Sequence, residues 1–123
     1  MAMRLFDQQE KVTRTKKEMA RLRKLFKPLP DDRQAAAEGL VHEAAFMRIT
    51  LEETRHIIDS EGVIEVFEQG AQSFLREHPA TKVYASLINR YAAVCKQLLD
   101  LLPDSSAGQA EDELMAFVKA KRR

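Results

Sequence analysis

Residues 62–79, GVIEVFEQGAQSFLREHP, break the rhythm of the chain on either side of them. Val63, Ile64, Val66 and Phe67, then Gly70, then Phe74 and Leu75, form two short β-branched and aromatic runs around a glycine. That pattern is too short for a stable helix and predicts a small β-hairpin turning at Glu68-Gln69-Gly70. On the N-terminal side, Leu40, Ala44, Met47, Leu51, Thr54 and Ile58 recur at spacings of three and four, widened by Val41, Ile49 and Ile57. This is the stripe of a long helix, with Asp31 or Asp32 as its cap and Gly62 as its C-terminal stop. On the C-terminal side, Pro79 suits a first helical turn preceded by Glu77 or His78, and Tyr84, Leu87, Tyr91, Val94, Leu98 and Leu101 carry a helix over 79–102 until Pro103 ends it. The two helices therefore run antiparallel, with the hairpin inserted between them.

Further outward, Leu5, Val12, Met19 and Phe26 lie seven apart with Leu22 beside them, which predicts an amphipathic helix over 4–27. Gln8 and Thr15 interrupt its stripe, so it is weak as an autonomous coiled coil and needs a partner or the body to dock on. KPLPDD, 27–32, breaks the chain after it, because proline lacks an amide donor and biases its predecessor away from the helix. At the other end PDSSAGQ, 103–109, reads as a flexible linker and 111–123 as a short helix with Leu114, Phe117 and Val118 on its apolar side. The expected fold is mainly α: a long antiparallel helical hairpin with a small β-hairpin insertion, a basic N-terminal helix and a short C-terminal helix. Its segments are 1–27, 28–103 and 104–123.

The 123 residues carry a net charge of only +1, but unevenly. Residues 1–27 hold nine basic side chains against three acidic ones, residues 28–118 seven against sixteen, and the final KAKRR four basic ones. Basic arms on an acidic body point toward a polyanion or an acidic partner. On the first helix Lys11, Arg14, Lys17, Arg21 and Lys24 recur at three and four as one cationic ridge, joined by Lys16, Arg23 and Lys27. Such a ridge predicts salt-dependent, weakly sequence-selective binding of double-stranded DNA through phosphates. A membrane surface is the poorer match, since Gln8, Thr15 and the lack of tryptophan spoil the apolar face. The absence of a leader-like apolar run or a stretch of about 18 apolar residues predicts a cytoplasmic protein.

No catalytic set emerges. Glu53 and His56 have the i, i+3 spacing of carboxylate-bridged metal sites and Glu52 adjoins them, but the second long helix offers only Asp100 as an acid. Cys95 lies mid-helix among apolar residues, as structural cysteines do, and its being the sole cysteine excludes an internal disulfide. His42 and His78 lack triad-spaced partners, and Gly39, Gly62, Gly70 and Gly108 are too isolated for a phosphate loop. The expectation is no enzyme, no metal and no cofactor. The apolar positions of the 79–102 helix cover more than one neighbour can bury, which predicts self-association, with Leu51, Ile58, Tyr84, Leu87, Tyr91 and Leu98 as core and oligomer contacts.

Residues 47–103, MRITLEETRHIIDSEGVIEVFEQGAQSFLREHPATKVYASLINRYAAVCKQLLDLLP, resemble the small terminase subunit of tailed bacteriophages and prophages, in its short α-helical branch. The resemblance rests on 51–62, Gly70, His78-Pro79-Ala80, Tyr84, Leu87, Tyr91 and 98–103, taken in order and covering roughly half of the chain. It implies a non-catalytic packaging protein of the bacterial host cytoplasm that binds viral DNA, assembles into a ring-like homo-oligomer and recruits the large terminase subunit. No helix-turn-helix is found, so DNA binding is assigned to the basic arm from charge alone, and KAKRR can meet either the DNA or the large subunit. Two other readings stay open: a helical DNA-binding regulator acting as a dimer, and a protein-interaction module docking its basic arm on an acidic partner.

Overall fold

Helix α1 (Gln8–Leu25) starts where Asp7 accepts a hydrogen bond from the Glu10 amide at 2.7 Å, and Arg23 and Lys24 occupy its last turn, where cations favour the helix dipole. The computed structural model describes residues 6–120, so Arg4 and Leu5 of the helix predicted over 4–27 lie outside the described residues. Pro28 and Pro30 stop α1, and the Gln34 side chain closes the turn by donating to the Phe26, Lys27 and Leu29 carbonyls at 3.4, 3.3 and 3.0 Å. Helix α2 (Asp31–Glu61) follows. Its cap is Pro30, not Asp31 or Asp32, which sit in the first turn and act on the dipole rather than on an amide. Gly62 ends it with φ +85° and ψ 167°, a conformation open essentially to glycine alone, while its amide donates to the Ile58 carbonyl.

Strands β1 (Ile64–Gln69) and β2 (Gln72–Glu77) pair antiparallel, with Val66 opposite Leu75, Phe67 opposite Phe74 and Gln69 opposite Gln72. The turn is therefore Gly70-Ala71, later than the predicted Glu68-Gln69-Gly70. Glu68 and Gln69 extend the ladder, and Gly70 at φ +62° supplies the positive angle that a two-residue hairpin loop requires. Helix α3 (Pro79–Asp100) begins with His78 as its cap, the ring Nδ1 accepting from the Ala80 amide at 3.0 Å.

Helix α4 (Asp104–Ala120) corrects the C-terminal expectation, since most of PDSSAGQ is helical rather than linker. Pro103, Asp104 and Ser105 are as suitable for a first helical turn as for a loop. Gly108 costs about 1 kcal/mol in a helix, which burial of Ala110 and Leu114 outweighs.

The helices run antiparallel in succession: Arg23 of α1 meets Glu38 of α2, Arg33 of α2 donates to the Leu101 carbonyl after α3, and Tyr91 of α3 meets Phe117 of α4. One apolar cluster extends from Leu22 and Phe26 through Val41, Leu51, Tyr91 and Leu98 to Leu114, so the segments 1–27, 28–103 and 104–123 share a core. Leu51, Tyr84, Tyr91 and Leu98 are buried within this single chain, while Ile58 and Leu87 are half-buried at its edge. Much of the apolar surplus read from the sequence is absorbed by α1 against α2 and by α4 against α3. The rest remains exposed, as Val63, Ile64, Val66, Phe74, Leu75 and Val83 on the hairpin and the start of α3, and as Val12 on α1 and Phe46 on α2.

Candidate nucleic-acid interface

Burial of Glu18, Leu22 and Phe26 fixes how α1 is rolled onto α2, and the roll decides which basic side chains face water. At about 100° per residue, Lys16, Lys17, Arg23 and Lys24 fall within about 120° on the side away from Leu22, with Lys27 following just past the helix end. All five are exposed. Arg23 reaches both Glu38 oxygens from its Nε, at 3.0 and 3.2 Å, and this hydrogen bond holds the Glu38 carboxyl below its ordinary range. Both partners are open to solvent, so phosphate can compete for Arg23. Among the described residues no ion pair involves Lys16, Lys17, Lys24 or Lys27.

The other predicted cations are spent closer to the protein. Lys11 is half-buried, 3.4 Å from Glu53 and 5.1 Å from the centroid of the Phe46 ring. Arg14 is exposed, pairs with Glu10 at 3.4 Å and lies 4.1 Å from the Phe6 centroid. Arg21 grips Glu18 with two hydrogen bonds of 2.8 and 2.7 Å, and this carboxylate raises its pKa further. Because Glu18 is buried, Arg21 is bound to the fold and not to the surface. The ridge Lys11–Arg14–Lys17–Arg21–Lys24 is thus not one free surface. The free arc is displaced around the helix, onto Lys16, Lys17, Arg23, Lys24 and Lys27.

The remaining candidates resolve into structure. Glu52 accepts from Arg48 at 3.1 Å and Glu53 from the Phe6 amide at 3.1 Å, and no group of three or more His, Cys, Asp or Glu among the described residues could hold a metal ion. Cys95 is fully buried, and burial pushes its thiol up to about 11, far from a nucleophile's range. His42 sits exposed 3.3 Å from Glu38, and His56 meets the Phe6 ring edge-on at 6.5 Å. His78 is the histidine whose surroundings the sequence concealed: with Nδ1 accepting from the helix, Nε2 carries the proton and faces Glu61 at 3.2 Å and Glu65 at 3.9 Å. It ties the end of α2, the hairpin and the start of α3 together.

No helix of the described chain is long and apolar enough to cross a membrane. Lys121, Arg122 and Arg123 of KAKRR lie outside the described residues. Comparison with protein-family models, curated proteins and solved structures finds no match. What the chain offers chemically is therefore read from its own surface: a cationic arc on one helix of an otherwise acidic body, beside exposed apolar side chains.

Proposed function

We propose that this protein is a non-catalytic DNA-packaging adaptor of the small-terminase kind, which binds viral double-stranded DNA, self-assembles into a ring and presents the DNA to the large terminase subunit. The observation that carries the DNA-binding part is the arc of Lys16, Lys17, Arg23, Lys24 and Lys27 on the outer face of α1, four of whose five members have no carboxylate partner among the described residues. Free cations at helical spacing attract phosphate and release its counterions, which fixes neither a base sequence nor a chemical reaction. The packaging part rests on the order of the 47–103 motifs. Exposed apolar side chains on the hairpin and α3 support self-association.

The test is a Lys17→Glu/Lys24→Glu/Lys27→Glu variant in a mobility-shift titration with duplex DNA at about 50 mM salt. DNA affinity is expected to drop at least tenfold with an unchanged thermal melt, since all three side chains are exposed. Arg21 is left untouched because its loss would strand buried Glu18. Retained affinity would remove the arc from the DNA interface. Native mass completes the test: a closed multimer supports the adaptor, whereas a DNA-binding dimer would move the reading to a regulator.

A further inference from the structure

The β1–β2 hairpin has one face built as a plug. Its register places Ile64, Val66 and Glu68 on the same side as their partners Glu77, Leu75 and Ser73. Ile64, Val66 and Leu75 are 57%, 61% and 70% exposed, which leaves an apolar centre with one carboxylate at each end. Neither Glu68 nor Glu77 enters an ion pair among the described residues. A lone two-stranded hairpin is at best marginally stable in water, so an apolar face of this kind gains from a cover.

A complementary surface lies elsewhere on the same chain. Between α1 and α2 a groove of about 410 Å³ is lined by Gln8, Lys11, Val12, Thr15, Lys16 and Phe46. Its floor is apolar and open, with Val12 45% and Phe46 51% exposed. Its rim is cationic: Lys16 has no carboxylate partner among the described residues, and Lys11 shares Glu53 at 3.4 Å. Where the hairpin offers apolar centre and acidic ends, the groove offers apolar floor and basic rim. Glu68 and Glu77 stand about 14 Å apart along the strands. Lys11 and Lys16, about 7.5 Å apart along the helix, span that separation with the reach of their side chains.

We infer that the hairpin of one copy seats its Ile64–Val66–Leu75 face in the α1–α2 groove of a second copy, with Glu68 and Glu77 against Lys11 and Lys16. The pairing of an apolar face with an apolar floor and of opposite charges, both on one chain, makes a second copy the occupant. The contact is heterologous, because plug and socket are different surfaces, so each chain has one of each left to offer and the chains add head to tail until a ring closes. The contact rests on the self-assembling adaptor reading and supplies its interface. It also leaves Lys17, Arg23, Lys24 and Lys27 facing outward for DNA.

The experiment is native mass spectrometry and light scattering of the full chain, of Leu75→Glu (plug) and of Phe46→Glu (socket), each alone and then mixed. Both positions are exposed, and Val66→Asp and Val12→Asp serve as second variants should either first one melt early. Wild type is expected to be a multimer, and each variant alone to fall to monomer with at least a tenfold weaker association. The mixture is expected to give a one-to-one dimer, since the intact hairpin of the socket variant still fits the intact groove of the plug variant. A monomeric wild type, a socket variant that keeps the wild-type mass, or a mixture that stays monomeric would each overturn the contact; the second outcome would mean that hairpins meet one another. DNA retention is read separately on the same samples. A multimer that assembles this way without binding DNA keeps the contact and sinks the adaptor, and a DNA-binding multimer whose socket variant keeps the wild-type mass does the reverse.

Discussion

Cys95 shows how one side chain records the packing around it. It sits on α3 fully buried, and that burial pushes its thiol up to about 11, against the pull of a Tyr91 contact and of the Arg48 charge. Tyr91, a turn earlier and also fully buried, has its hydroxyl pushed upward by burial and by the same thiol. Both groups are acids that the fold keeps protonated, which fixes the sign of the pH dependence. In the unfolded chain the thiol ionises at its ordinary value, near pH 9, while the folded chain holds its proton to about 11. Across that window the unfolded state binds fewer protons, so stability is complete below about pH 9 and falls as pH rises toward 11. A shift of this size corresponds to at most about 2–3 kcal/mol for the thiol. Denaturant titrations at intervals from pH 8 to 11 are expected to show this alkaline loss in wild type and a shallower one in Cys95→Ala. Equal slopes would mean that the thiol proton does not respond to the fold.

At the scale of the element, glycine positions separate what a helix tolerates from what a junction requires. Gly39 lies in the exposed interior of α2, where an added Cβ meets nothing within 4 Å. Gly62 ends the same helix at φ +85°, where a side chain is strained whatever the space. The same substitution should therefore act in opposite directions: Gly39→Ala is expected to stabilise by about 0.5–1 kcal/mol, and Gly62→Ala to destabilise by about 1–3 kcal/mol. Urea unfolding midpoints check both, and a neutral Gly62→Ala would mean that the α2–β1 junction bends elsewhere. The same contrast explains what could be read from the sequence. The period changes at Gly62 and Pro79 are local, so the hairpin and the two helices beside it were legible from spacing alone. The helicity of 104–110 was not, because proline, aspartate, serine and glycine open helices as readily as they form loops; docking of Ala110 and Leu114 on the core decided between the two. The cationic ridge was half legible. Spacing places Lys11 and Arg21 on one helix face, but only the tertiary partner Glu53 and the burial of Glu18, the partner of Arg21 on α1 itself, reveal that this face turns inward.

For the molecule as a whole, the uneven charge becomes a geometric division. The acidic middle of the chain neutralises inward Lys11 through Glu53, α1 neutralises its own Arg21 through Glu18, and an outer arc is left that no acid of the fold covers except Glu38 at Arg23. Each phosphate neutralised by that arc contributes about −0.9 to the slope of log affinity against log salt. Lys16, Lys17, Arg23, Lys24 and Lys27 acting together therefore predict a slope of about −4.5 for one chain on duplex DNA. The measurement is cleanest on Leu75→Glu, the variant expected to remain monomeric, because a ring multiplies the contacts. On that background Lys17→Ala is expected to reduce the slope by about one, while Lys11→Ala, whose ammonium is held by Glu53 and stacked on Phe46, leaves it unchanged. If Lys11→Ala reduces the slope as much as Lys17→Ala does, DNA lies along the spaced ridge of the sequence. If neither changes it, the phosphates are met elsewhere on the chain and the arc has another partner.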